Sequence, residues 1–150
     1  MIQKVEKLKE IINQNSMGHL PLAYRVDLMK QIGDTRTVQK VFMFSITSSK
    51  GDIITLNTRN TDKICNAFRN IRELMYNKNS KQGAWFQVEM FLKSKAQYTL
   101  KFNYDNLEQI PSFFQKPDWL LEMFREYPRS KEYTPLWLRE IVGRRKLYLT

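Results

Sequence analysis

The chain has 150 residues, 42% of them hydrophobic and 13% aromatic, so it can bury the core of one globular domain without a disulfide or a metal. Its 25 Lys and Arg residues outnumber its 15 Asp and Glu residues, and the formal net charge of +10 suggests an anionic partner. The composition excludes a disordered or collagen-like chain, and the single cysteine excludes an intrachain disulfide and a Cys-based zinc site. We therefore expect one domain spanning residues 1–150, located in the cytoplasm and without a membrane span.

The first half of the chain alternates between helical and strand patterns. Apolar residues at helical spacing predict a helix over Ile2–Ile12. Alternation of period two predicts a strand that begins at Leu22 and a second at Val41–Thr47. A hairpin-like loop then leads to a third predicted strand, Ile53–Leu56. Residues 62–76 return to a helical pattern, with Asp62 as the predicted N-cap.

The second half contains a predicted hairpin and then a proline-rich third. Residues 85–92 and 98–104 alternate as two strands joined by a short loop. Pro117 begins a predicted helix that runs to about Tyr127. Thr134 is the predicted N-cap of a last short helix, with Pro135 at its first position and Gly143 at its end.

These elements follow the order α-β-β-β-α-β-β-α-α, without an internal repeat or a linker. Helices that interrupt runs of hairpin-connected strands are typical of α+β domains. We therefore predict a single α+β domain in which helices pack against an antiparallel sheet of about five strands.

Catalytic chemistry has little support in the sequence. His19 is the only histidine, and Cys65 lies beside the apolar face of a predicted helix, where a free cysteine usually serves as a small hydrophobic residue. A hydrolase that uses His19 with Cys65 remains the weakest of the alternatives. No phosphate-binding, nucleophile-elbow or metalloprotease motif is present, so we predict a protein that is not an enzyme and needs no cofactor or metal.

Nucleic-acid binding is the main alternative suggested by the charge. Tyr98, Phe102 and Tyr104 alternate along one strand beside Lys101, and aromatic faces next to cations can stack bases and bind phosphates. The same alternation is also expected if these aromatic side chains form the core side of the sheet. The strands lack the aromatic–glycine signature of RNA-binding sheets, so non-specific binding of RNA or single-stranded DNA ranks second.

Several short motifs in the second half resemble one known family. They are Trp85 at the start of a strand, Phe102-Asn103-Tyr104-Asp105-Asn106-Leu107 at the end of the next, and the pieces Glu126-Tyr127-Pro128-Arg129-Ser130 and Thr134-Pro135-Leu136-Trp137-Leu138. In these features, and in the order of its elements, the chain is similar to YezG-like immunity proteins. These are small antitoxins of bacterial polymorphic-toxin and contact-dependent growth inhibition systems.

The resemblance implies an inhibitor that binds a cognate toxin domain, most often a nuclease, and occludes its active site. The net charge of +10 implies that the toxin is acidic at the contact. Aromatic and arginine side chains often anchor protein interfaces, so the expected contact residues are Trp119, Arg125, Tyr127, Arg129, Tyr133, Trp137 and Arg139, with Lys50 and Lys95 in the hairpin loops as alternatives for electrostatic steering. Two points stay open: Trp119 and Trp137 could instead be buried, and the sheet face could make the contact.

Overall fold

The protein is an α+β domain, as the sequence predicts. The computed structural model describes residues 2–15, 22–32, 38–48, 50–55, 57–94 and 97–149, with side chains described except at residues 2, 12–15, 29–32 and 38–43. The helices and strands of this part of the chain are α1 (Ile2–Asn15), β1 (Leu22–Ile32), β2 (Val38–Ser48), α2 (Thr58–Lys78), β3 (Gln87–Leu92), β4 (Tyr98–Asn103), α3 (Pro117–Glu126) and α4 (Leu136–Val142). Short 3-10 turns at Ser80–Gln82, Leu107–Gln109, Ser112–Phe114 and Lys131–Tyr133 connect several of them.

The four strands form one antiparallel sheet in the order β2-β1-β3-β4. The long central strand β1 pairs with β2 from Leu22 opposite Ser48 to Ile32 opposite Val38, and its first half also pairs with β3. β3 and β4 form the predicted hairpin. The Gly33–Asp34 turn signal between β1 and β2 lies outside the described residues.

The predicted third strand is reduced to one bridge in the described residues. Ile53 pairs with Thr47 as an isolated antiparallel bridge, and the Ile54 N–H donates to the Ile46 carbonyl oxygen at 3.0 Å. The Ile53 side chain is 80% exposed, whereas the partly buried Ile54 packs against the hydrophobic core on one face of the sheet. The sheet has four strands among the described residues, close to the predicted number of about five.

One face of the sheet carries the first hydrophobic core. The alternation of β1 turns Leu22, Tyr24, Val26 and Leu28 towards this face, and all four are buried. α1 and α2 cover them with apolar side chains at helical spacing. The residues that the helices contribute are Val5, Leu8, Ile64, Phe68 and Ile71.

The proline-rich third builds a second hydrophobic core from α3, α4 and the segments that precede them. Arg72 of α2 lies between the two cores, with its guanidinium 5.7 Å from the Trp85 ring and 5.0 Å from the Tyr127 ring. Its Nη1 donates to the Leu28 carbonyl oxygen at 2.8 Å. Burial lowers the pKa of Arg72, although the Tyr127 hydroxyl and the Glu126 carboxylate oppose that shift.

Two predicted helix caps differ from those observed. α2 begins earlier than predicted, because Asn57, and not Asp62, caps it: Asn57 Oδ1 accepts from the Asn60 N–H at 2.8 Å. The first turn of α2 is polar, so apolar periodicity did not reveal it. Before α4, Thr134 donates its hydroxyl back to the Ser130 carbonyl oxygen at 2.8 Å and does not cap the helix.

Candidate functional site

Three of the residues predicted to bind a partner are buried. Trp119, Tyr127 and Arg129 are 4%, 8% and 2% exposed. The amphipathic helix α3 turns Trp119 inward, where its ring lies 5.1 Å from that of Phe113 and 6.2 Å from that of Phe114. The buried alternative therefore holds for Trp119. Because all three side chains are buried, none of them has the exposed surface that an interface anchor needs.

Arg129 is held inside the molecule by hydrogen bonds to three loops. Its Nη1 donates to Asp105 Oδ1 at 2.8 Å, to the Tyr133 carbonyl oxygen at 3.1 Å and to the Gln82 carbonyl oxygen at 3.3 Å. Its Nη2 donates to the Tyr104 carbonyl oxygen at 2.9 Å. Burial lowers the pKa of Arg129, and the Asp105 carboxylate opposes the shift. The guanidinium is therefore a structural cross-link.

Trp137 and Arg139 are half-buried, and both bind backbone carbonyl groups of the same region. Trp137 Nε1 donates to the Asp105 carbonyl oxygen at 2.7 Å. Arg139 Nε donates to the Thr134 carbonyl oxygen at 2.9 Å, and its Nη2 donates to the Lys131 carbonyl oxygen at 2.8 Å. Their polar groups are therefore engaged within the fold.

Three of the four motifs that resemble those of immunity proteins meet at one junction, and Trp85 lies in the first core. Asp105, from the motif after β4, accepts from Arg129 through its side chain and from Trp137 through its backbone. Each proline-containing motif thus supplies one donor to the same residue. These motifs have a structural explanation in this chain, because they fasten the last third of the protein to the end of the sheet.

The remaining predicted contact residues are exposed but lie on separate elements. Arg125 on α3 forms an ion pair with Glu122 at 3.1 Å. Tyr133 is 51% exposed in a 3-10 turn, and Lys50 is exposed in the turn after β2. Lys95 lies outside the described residues. Among the described residues, these side chains do not come together into one site.

A concave surface lies on the opposite side of the first core, between α1 and α2. Its floor is apolar and its rim carries three exposed lysines. The volume is about 470 Å³, and the lining residues are Lys4, Lys7, Leu8, Ile11, Lys63, Asn66, Ala67 and Asn70, which together define the α1–α2 groove.

The charged side chains on the rim of the α1–α2 groove are all positive. None of the described residues that line it is acidic, and within the described chain Lys4, Lys7 and Lys63 form no ion pair. Lys9 on the same helix is different, because it pairs with Glu6 at 3.1 Å. Three exposed ammonium groups over an apolar floor are suited to an anionic ligand that also has apolar surface.

The sequence contains a signal for this groove in the spacing of residues along α1. Lys4, Lys7, Leu8 and Ile11 recur at three- and four-residue intervals, so they lie along one stripe of α1. The partner stripe on α2 begins at Lys63. The two stripes form a groove only because α1 and α2 lie side by side on the sheet, and that adjacency follows from tertiary packing.

A second cavity lies on the other face of the sheet, beside a buried polar network. Asp27 Oδ1 accepts from Gln87 Nε2 at 2.6 Å, and Asp27 Oδ2 lies 3.5 Å from Arg25 Nε. Both neighbours also donate to the Gln109 carbonyl oxygen, Arg25 at 2.6 Å and Gln87 at 2.8 Å. The cavity has a volume of about 270 Å³ and is lined by Arg25, Asp27, Phe44, Ser45 and Pro111.

The network around Asp27 has a structural role. Burial raises the pKa of Asp27, and the hydrogen bond from Gln87 and the charge of Arg25 oppose the shift. The polar side chains are directed at one another and at the Gln109 backbone, so they hold the segment after β4 across the sheet. Periodicity alone would have assigned Asp27 to the exposed face, and only the path of this segment buries it.

Cys65, one of the two residues of the hydrolase alternative, is fully buried in α2. Burial raises the pKa of the Cys65 thiol to about 12, so it remains protonated and unreactive at neutral pH. His19 lies outside the described residues. In the part of the chain that is described, no group of three or more His, Cys, Asp or Glu residues could hold a metal ion.

The chain matches no protein-family model, and a search of curated proteins finds no significant sequence match. Among the helices of the described residues, none is both long and apolar enough to cross a membrane.

Proposed function

We propose that this protein is a non-enzymatic inhibitor of the immunity class, which binds an acidic segment of a toxin domain in the α1–α2 groove and thereby blocks the toxin's active site in the cytoplasm. The observation that carries the proposal is the rim of Lys4, Lys7 and Lys63 over an apolar floor. The resemblance of the later motifs to immunity proteins supports the class of function. The groove supplies the contact surface, in place of the buried residues of the last third.

The chemistry of the groove favours a protein segment. Ile11 and Ala67 offer apolar surface that a sugar–phosphate backbone could not use, whereas an amphipathic helix or loop with acidic flanks matches both floor and rim. Charge complementarity mainly accelerates association and selects the partner, and burial of the apolar side chains slows dissociation.

A charge-reversal experiment tests the proposal. The triple variant Lys4→Glu, Lys7→Glu, Lys63→Glu should lose binding to the purified toxin domain encoded beside the gene, and it should no longer protect cells that express this toxin. The folded structure should persist, because the three side chains are exposed and a glutamate near the start of α1 is favourable.

The matched control reverses the same number of exposed lysines outside the groove and outside the predicted contact residues: Lys81, Lys93 and Lys146. This control has the same net charge as the groove variant, so it should retain both toxin binding and protection. Equal loss in the two variants would mean that total charge, and not the groove, controls the interaction. Absence of protection by the wild-type protein would reject the proposed function itself.

Nucleic-acid binding is the competing outcome, because three ammonium groups can also bind phosphates. Fluorescently labelled single-stranded RNA or DNA should bind the wild-type protein poorly even at about 50 mM salt. Tight binding that weakens steeply as salt rises and disappears in the groove variant would favour the nucleic-acid alternative.

A further inference from the structure

The outer edge of β4 carries backbone groups that pair with no other described strand. Within the part of the chain that the structure describes, β4 is the last strand of the sheet and pairs with β3 alone. The Lys93 N–H donates to the Gln97 carbonyl oxygen at 3.0 Å, and the register pairs Phe91 with Thr99 and Glu89 with Lys101. In an antiparallel ladder the alternate residues point their N–H and C=O groups away from the partner strand. The outward groups are therefore those of Tyr98, Leu100 and Phe102.

This edge has few of the devices that usually protect an edge strand. β4 contains no proline and only one charged residue, Lys101. At the opposite edge of the sheet, Ile54 donates to the outward-facing Ile46 carbonyl oxygen and covers one end of β2. At the far end of β4, Arg129 covers the Tyr104 carbonyl oxygen. The free stretch is therefore limited to residues 98–102.

The free stretch of one copy can pair with the same stretch of a second copy. If two copies lie antiparallel with Leu100 opposite Leu100, then Tyr98 lies opposite Phe102 of the second copy, and all outward groups find partners in about six hydrogen bonds. The half-buried side chains of these residues would then continue the core face across the junction. On the other face, Thr99 lies opposite Lys101 of the second copy, so the lysines do not oppose each other.

We propose that two copies of this chain associate through β4 in this register, forming a two-fold symmetric dimer with a continuous eight-stranded sheet. An antiparallel pair centred on one residue has two-fold symmetry, which is the commonest symmetry of homodimers. A peptide strand from another protein would also use the edge, but the alignment of Tyr98 with Phe102 and of Thr99 with Lys101 favours a second copy.

Cross-linking between two single-cysteine variants tests the register. Thr99 and Lys101 are exposed, so Thr99→Cys and Lys101→Cys should fold normally, and the native Cys65 is buried. In the proposed register, residues 99 and 101 of different copies form a pair with Cα atoms about 4.5 Å apart, which a disulfide can bridge. An equimolar mixture of the two variants should therefore form a covalent dimer under mild oxidation.

Each variant oxidised alone is the control. Its two cysteines would lie about 7–8 Å apart diagonally across the junction, too far for an ordinary disulfide, so it should give at least tenfold less covalent dimer. Light scattering of the wild-type protein should report a dimer, and Leu100→Pro, which removes an outward N–H, should shift it to monomer while retaining its circular dichroism. A wild-type monomer at 100 μM, or equal cross-linking in the mixture and the single variants, would overturn the proposal.

Discussion

At the scale of single residues, the buried charges of this protein serve the fold. Arg129 was expected to anchor a partner because arginine is common at interfaces, yet it binds three backbone carbonyl groups inside the molecule. Arg72 behaves similarly between the two cores. A guanidinium has five N–H donors and can bind several loops at once, so a buried position is as natural for it as an exposed one.

Arg129→Ala should destabilise the protein by about 3 kcal/mol, because several part-buried carbonyl groups lose their donor. Asp105→Asn is the matched control: its side chain is 63% exposed, so losing its charge should cost less than about 1 kcal/mol. Urea denaturation of both variants measures the difference. Similar losses would show that the ion pair, and not the carbonyl contacts, supplies the stability.

Asp27 should make stability depend on pH. Burial raises its pKa in the folded state above the ordinary value of 3.8, so the folded protein binds more protons than the unfolded chain in the interval between the two values. The contribution of Asp27 to the free energy of unfolding is therefore largest at low pH and falls as pH rises through that interval. Asp27→Asn should remove this pH-dependent contribution to the free energy of unfolding.

Urea midpoints measured from pH 3 to pH 7 for both proteins check the prediction for Asp27. The stability of the variant relative to the wild type should increase as pH rises, because only the wild type must bury a carboxylate. The other carboxyl groups titrate in both proteins, so their effect cancels in the comparison. A difference that stays constant with pH, or falls, would contradict the assigned direction of the pKa shift.

At the scale of elements, the junction of the last third with the sheet depends on Gly83. Its φ of +85° and ψ of −171° lie in a region that is essentially restricted to glycine. A Cβ atom there would lie 2.8 Å from Arg129 Cδ and 3.0 Å from Arg129 Nε. Arg129 cannot withdraw without losing its hydrogen bonds, so Gly83→Ala should cost about 3 kcal/mol.

Gly51→Ala is the control for the part of the destabilisation that comes from the positive φ and not from the clash with Arg129. Gly51 has the same φ of +85°, but a Cβ atom there would meet nothing within 4 Å. We expect a cost of about 1 kcal/mol from the positive φ alone. Thermal unfolding of the two variants measures both losses. Equal losses would mean that Arg129 moves easily, against the cross-linking role assigned to it.

At the scale of the whole molecule, we expect the positions of the positive charges to matter more for binding than the net charge of +10. Both halves of the chain are basic, yet the α1–α2 groove gathers three lysines without an ion pair to any described residue. Raising the salt concentration should therefore weaken binding of an acidic partner by slowing its association. Stopped-flow association rates should show a steeper salt dependence for the wild type than for the groove variant. Equal slopes would place the contact elsewhere.

The two proposed surfaces can be examined separately. The α1–α2 groove lies on the helices that cover the sheet, whereas the dimer uses the backbone edge of β4. Reversal of the groove lysines should therefore leave the cross-link between residues 99 and 101 unchanged. Failure of the dimer would not affect the proposed function, and failure of toxin binding would not affect the dimer.

The elements of the fold were largely readable from local patterns. The alternation of Tyr24, Val26 and Leu28 identified β1, and the spacing of Ile64, Phe68 and Ile71 identified α2. Of the predicted third strand, the described residues form one bridge, between Ile53 and Thr47, although Ile54 packs against the first core. Partner-binding residues were the least predictable, because aromatic and arginine side chains suit a core as well as an interface.

The sequence by itself determined the α+β class, the single buried cysteine and the two faces of β1, because these depend on composition and on periods of two and 3.6 residues. Only the tertiary structure decided that Trp119 and Arg129 are buried, and that the segment after β4 covers Asp27 on the face that alternation predicts to be exposed. It also decided that Lys4, Lys7 and Lys63 share one rim. Each of these features depends on which segments pack together over long sequence separations. A local pattern determines the direction of a side chain relative to its own element, but not what lies opposite.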